Sequence, residues 1–182
     1  MVGSTVTWVR RLGIGLTVAV AVLLLAPAPV AQEVTGPALK AAFLFNFVKF
    51  TTWPADALPD GAPLVMCVID EPAVGDALAS SVTGRVVMGH RIQVTQPADP
   101  ATWRGCHVAY VSGTRAAALR VVEVVADQPV LTASDVHGFN AGGGIAQFHV
   151  QQGQLWFAFA LDAIKRSRLH ISARLLILAR RV

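Results

Sequence analysis

The sequence predicts a single α/β domain, with a mostly parallel sheet flanked by helices on both faces and a C-terminal antiparallel hairpin. Three observations carry that reading. Short unbroken apolar runs at residues 64–69 and 106–111 suit strands covered on both faces. Between the runs lie helical stretches opened by proline or capped by Ser/Thr, and such alternation implies parallel pairing. Two late apolar strands flank Gln151-Gln152-Gly153-Gln154, a hairpin signal.

In order along the chain, Pro37 opens a helix running to about residue 52 and stopped by Trp53-Pro54. Leu39, Phe43, Asn46, Phe47 and Phe50 share one of its faces, yet Ala42, Leu44, Phe45 and Val48 make most other sides apolar as well. A helix of this kind is buried on several sides or covered by another protein. The strand at 64–69 follows, and Pro72 starts a helix of small residues to about 81. Residues 85–95, β-branched around Gly89, read as a strand pair or a bent strand. After the strand at 106–111, Ser112 or Thr114 caps a helix to about 126, and 129–132 is a short strand. Gly142-Gly143-Gly144 turns into a strand at 145–150, and 155–161 returns. Asp162 begins a short helix through 168. Ser172 caps the last helix, whose Leu175, Leu176, Leu178 and Ala179 face inward.

The first residues set the compartment. Arg10 and Arg11 precede an uncharged apolar run at 12–26, and small residues and prolines follow up to Ala31. That layout is a secretory signal peptide over residues 1–31, with an uncleaved anchor as the alternative, and it leaves residues 32–182 as one domain. Of the fifteen Lys/Arg, thirteen then face eleven Asp/Glu. Residues 33–161 hold seven bases against ten acids, whereas residues 162–182 hold six bases against one. A basic end on an acidic body suits an acidic partner or anionic lipid, or is simply a solvated helix side. The bases carry no aromatic interleaving, so no nucleic acid is expected. Cys67 and Cys106 are an even pair in an oxidising compartment and read first as a disulfide, with two separate buried thiols as the alternative.

Few residues stand in a pattern that catalysis or metal binding needs. Asp70-Glu71 follows the first strand, where acidic residues ahead of a proline-started helix are turn and cap groups. Ser112, Asp135 and His137 stand in the order of a hydrolase triad, but the Gly-x-Ser-x-Gly turn is absent and capping accounts for Ser112. The glycine run at 142–144 lacks a following Lys-Ser/Thr and is a turn. His90, His107, His137, His149 and His170 are scattered without metal-ligand spacing. The expectation is a binding domain with no catalytic residue, no metal and no cofactor.

Taken as a whole, the blocks resemble the YfiR family over roughly residues 36–180. They are the aromatic helix from Leu39 through Phe50 with Thr52-Trp53-Pro54, the segment from Gly84 through Ile92, Cys106-His107-Val108, and Pro129-Val130-Leu131-Thr132. Ser134-Asp135, Phe139, Gly142-Gly143-Gly144-Ile145, Phe157 and the terminal Leu175-Leu176-Leu178-Ala179 complete the match. The resemblance implies a periplasmic regulator, often a homodimer, that holds an inner-membrane diguanylate cyclase inactive and is itself sequestered by an outer-membrane lipoprotein. It also implies that Cys67 and Cys106 are bridged. Two departures stand out. Phe157-Ala158-Phe159-Ala160 replaces a Phe-Glu-x-Asn pattern, and Arg168 stands where a glycine tends to precede the leucine. The partner surface is assigned to Phe139, Phe148, Trp156, Phe157 and Phe159, rimmed by Lys165, Arg166 and Arg168, with core packing as the alternative for half or more of them, such as the alternate strand residues Phe157 and Phe159. The alternative is a periplasmic small-molecule sensor using the crevice near Asp70 and Asp135 and acting on another membrane receptor, such as a histidine kinase.

Overall fold

The computed structural model describes residues 36–151 and 153–180. The signal-peptide reading of residues 1–31 therefore lies outside the described residues. Helix α1 is Gly36–Lys49, with Ala41, Leu44, Phe47 and Val48 buried. It ends earlier than the sequence predicts. Phe50 N–H closes the last turn on Phe47 C=O, and Thr51–Thr52 then form strand β1. Two β-branched residues ahead of a pre-proline tryptophan favour extended backbone over another helical turn.

Strand β2 is Leu64–Ile69 and helix α2 is Pro72–Val82, with proline in its first turn. Strands β3, Val86–Val87, and β4, His90–Thr95, pair antiparallel around a two-residue turn, which makes residues 85–95 a hairpin. A 3₁₀ helix at Pro100–Gly105 was not anticipated, although Asp99-Pro100 is its signal: the Asp99 carboxylate accepts from Ala101 N–H. Strand β5 is Val108–Val111, and Thr114, not Ser112, caps helix α3, Arg115–Val124, by accepting from Ala117 N–H. Strand β6 is Leu131–Ser134. Strands β7, Ala146–Gln151, and β8, Gln154–Phe159, form the late hairpin. Helix α4, Leu161–Arg166, strand β9, His170–Ile171, and helix α5, Ala173–Leu178, complete the chain, with Ser172 capping α5.

The main sheet runs β3-β4-β2-β5-β6-β7-β8. Its five central strands are parallel, and β3 and β8 are antiparallel edges. The chain leaves β2 toward one side, then returns to build β5, β6 and β7 on the other. That doubly wound order opens a crevice at the carboxyl ends of β2 and β5. Alternate strand residues feed the two faces. Leu64, Met66, Val68, Val108, Leu131, Ala133, Ala146 and Phe148 pack with Leu44 and Phe47 of α1 and Val74 and Leu78 of α2. Cys67, Ile69, Ala109 and Val111 pack with Trp103 and with Ala118 and Val121 of α3. Separately, β1 pairs antiparallel with β9, Thr51 opposite Ile171.

Cys67 and Cys106 are bridged, with their Cα atoms 5.8 Å apart, and Thr95 Oγ1 donates to Cys67 Sγ at 3.5 Å. The bridge joins β2 to the residue at the end of the 3₁₀ helix, just ahead of β5. Gly144 is required where the 142–144 turn crosses Phe139, because a Cβ there would lie 2.2 Å from the phenyl ring. Helix α5 departs from expectation. Leu175 is buried, but Leu178, expected inward, faces outward at 69% exposure beside Ile177 at 81%. Four successive apolar residues in a six-residue helix span more than a full turn, so they cannot all point inward.

Candidate partner surface and strand-end charge cluster

At the crevice the chain places its own cation. Lys40, in the first half of α1, projects its ammonium over the strand ends. It lies 2.8 and 2.9 Å from the two Glu71 oxygens and 2.6 Å from Asp135 Oδ2. Glu71 also accepts from the Tyr110 hydroxyl at 2.5 Å, and the ammonium sits 5.7 Å above the Tyr110 ring. Glu71 occupies the cap position of α2 but makes no capping hydrogen bond, contrary to the sequence expectation. Its carboxylate is spent on Lys40 and Tyr110 instead.

The Lys40 side chain is only 12% exposed. Burial works against its charged form, but hydrogen bonds and the charges of Asp135 and Glu71 outweigh that, and its pKa moves up. Burial, reinforced by the hydrogen bond to Glu71, pushes the Tyr110 hydroxyl far above the ordinary tyrosine range. Tyr110 thus stays a neutral donor. Chemically the cluster is a closed ion-pair network. Asp135, the acid of the triad considered from sequence, is committed to Lys40, and a ligand in the crevice would have to displace that lysine. Among the described residues, no group of three or more His, Cys, Asp or Glu is placed to hold a metal ion.

At the opposite ends of β2 and β5, His107 is locked as the neutral Nε2–H tautomer. Nδ1 accepts from Val65 N–H at 3.0 Å, and Nε2 faces Ala57 C=O at 3.2 Å. Its own carbonyl accepts from Trp53 Nε1–H at 3.1 Å. Burial depresses its pKa; the Ala57 carbonyl opposes this and nearby His90 adds to it.

The residues assigned to the partner surface separate into three groups. Phe139, Phe148 and Phe157 are buried core. Phe148 stacks on Phe47 at 5.6 Å, Phe157 meets the same ring edge-on at 4.9 Å, and Phe139 fills the opposite face under Gly144. Their side chains are not surface groups of the folded chain. Phe159 and Trp156 are half-buried. Trp156 lies flat on His149 at 3.9 Å with the Arg180 guanidinium 5.2 Å over its ring. Lys165, Arg166 and Arg168 are exposed, Lys165 beside Asp162 and Arg168 paired with Asp56 at 2.7 Å. Arg168 has φ +60°, the left-handed conformation that glycine takes without cost after a helix, which accounts for the glycine expected there by resemblance.

Sequence reasoning missed the exposed apolar residues themselves: Leu161, Ile177 and Leu178. The signal was the excess of consecutive apolar positions in α5. Arg180 N–H donates to Phe157 C=O on the outer edge of β8, so the end of α5 is tied beside Trp156 and Phe159. Trp156 and Phe159 stand on opposite faces of edge strand β8, Phe159 against Phe47 at 5.3 Å and Trp156 against His149, so the two rings do not share one patch.

The domain is thus a doubly wound α/β fold whose strand-end crevice holds the Lys40–Glu71–Asp135 network. Residues 37–180 match the family profile described as YfiR/HmsC-like, and the chain belongs to that family. No curated protein matches it. No helix among the described residues is long and apolar enough to cross a membrane.

Proposed function

We propose that this chain is a periplasmic, non-enzymatic regulator that binds the periplasmic part of an inner-membrane diguanylate cyclase and represses it, so restraining cyclic-di-GMP and biofilm formation. Membership of the YfiR/HmsC-like family across residues 37–180 is the observation that carries this reading. The geometry supports it in kind. The strand-end crevice, where an α/β enzyme would hold its substrate, contains a closed Lys40–Glu71–Asp135 network. The C-terminal part of the chain offers exposed Leu161, Ile177 and Leu178, half-buried Trp156 and Phe159, and exposed Lys165 and Arg166. In this scheme an outer-membrane lipoprotein competes for the regulator, and two copies associate as a homodimer.

The test is cellular cyclic-di-GMP in the native host with the gene deleted and then restored. The reading expects a rise on deletion, reversed by the full chain and not by one lacking residues 1–31. An unchanged level across growth conditions would overturn it and direct attention to other membrane receptors.

A further inference from the structure

The β3–β4 hairpin, at the sheet edge remote from the C-terminal surface, carries features that folding alone does not explain. Its turn is Met88-Gly89, with φ of +49° and +85°. Such a two-residue turn favours Asn-Gly or Asp-Gly, and a long apolar side chain at its first position is strained. Met88 nevertheless stands there 52% exposed, so burial does not offset that cost. Val86, directly opposite Arg91 in the register, is 58% exposed. The inner positions behave differently: His90 is buried, with Nδ1 2.8 Å from Ala62 C=O, and Val87 packs against the core.

Beside the hairpin, Phe45, Lys49, Arg85, Val86 and Val87 line an open groove of about 400 Å³. Phe45 lies between two cations, with Lys49 Nζ 5.6 Å and Arg85 Cζ 5.1 Å from its ring centroid. Among the described residues, no carboxylate lies within ion-pair distance of Lys49, Arg85 or Arg91. The hairpin and the end of α1 beside it therefore present an apolar tip, an aromatic ring, and three positive charges that no carboxylate among the described residues pairs. That combination complements one kind of surface: apolar groups enter the boundary between headgroups and acyl chains, while Lys and Arg meet lipid phosphates.

We propose that the β3–β4 hairpin is a docking site for an anionic phospholipid bilayer, with Met88 and Val86 inserting and Lys49, Arg85 and Arg91 contacting phosphate. The proposal goes beyond repression of a cyclase and does not depend on which receptor is bound. It would hold the regulator on the membrane in which such a receptor is embedded and leave the C-terminal edge free.

Co-sedimentation with vesicles rich in phosphatidylglycerol, compared with pure phosphatidylcholine vesicles, tests it. The chain is used as the cell processes it, and every variant keeps the same N-terminus, so differences between variants read the hairpin. The expected result is binding to the anionic vesicles that falls with added salt. The double variant Arg85→Gln, Arg91→Gln should lose about 25-fold in partition coefficient, roughly fivefold per cation. Met88→Asn suits the left-handed turn better, so it should keep or raise the melting temperature while weakening binding severalfold. Equal sedimentation with both lipids, or binding indifferent to either variant, overturns the proposal. So does high affinity for a soluble acidic polypeptide in place of vesicles.

Discussion

The ammonium of Lys40 and the carboxylate of Asp135, ninety-five positions apart in the chain, meet at 2.6 Å over the carboxyl end of the sheet. Lys40 comes from the first helix and Asp135 from the residue after β6, so this contact fixes α1 along the strand ends. The pair is exposed enough for water to reach it, but buried enough to matter.

Replacing Lys40 with Met leaves Glu71 and Asp135 facing each other without a counter-charge. Loss of one partner from a buried pair costs 3–5 kcal/mol, and partial exposure reduces that to about 2 kcal/mol here. A fall in melting temperature of about 4–8 °C is expected, and Asp135→Asn in the same chain should recover part of it. The Lys40 pKa is raised on folding, so its contribution is complete below the ordinary lysine value and is lost as pH rises through the folded one. Thermal melts of the two variants, near neutrality and in strong alkali, check both points.

His107 predicts the opposite pH dependence. Its folded pKa is depressed, so the unfolded chain binds the proton more readily. Stability is therefore complete above the unfolded value of about 6.5 and is lost as pH falls through the folded one. Protonation also breaks the hydrogen bond that Nδ1 accepts from Val65. Urea titrations from pH 7 to pH 5 should show stability falling with pH in the parent chain and a flatter dependence in His107→Gln.

The Cys67–Cys106 bridge closes a loop of 39 residues. The chain-entropy account gives it about 4 kcal/mol. Thiol counting in denaturant should find no free sulfhydryl, and reduction or a double Cys→Ala replacement should lower the urea midpoint markedly. Two titratable thiols in the untreated protein would remove the bridge from the account.

Partner binding separates surface from core. Phe148→Ala and Phe157→Ala empty the space against Phe47 and should cost about 3–5 kcal/mol each, so any loss of binding reflects unfolding. Ile177→Asp and Leu178→Asp touch exposed positions and should leave the melting temperature within a degree or two. If the C-terminal edge binds the receptor, both should weaken the complex at least tenfold in a pull-down with the cyclase's periplasmic part. Unchanged capture would move the site elsewhere.

Strand alternation, the two faces and the late hairpin were legible because period-two and period-3.6 patterns are local. The disulfide was legible too, through compartment and resemblance. What escaped depended on three-dimensional context. Glu71 reads as a cap, because nothing near it in sequence announces Lys40 thirty-one residues earlier. Phe148 and Phe157 read as surface candidates, because their cover comes from α1 at the other end of the domain. The outward Leu178 was readable in principle, since one short helix has only one inward stripe.

The pairing of β1 with β9 joins Thr51 to Ile171, and Phe47 packs between Phe148 and Phe157. The early and late parts of the domain are thus mutually dependent. A chain that emerges N-terminus first cannot complete this core progressively: α2 and β2 can cover part of α1 early, but the Phe43 and Phe47 rings stay open until β7 and β8 have appeared. Folding should be gated by the last segment to arrive, with an exposed aromatic helix in the interval, and that interval is when a chaperone or a protease would find this protein.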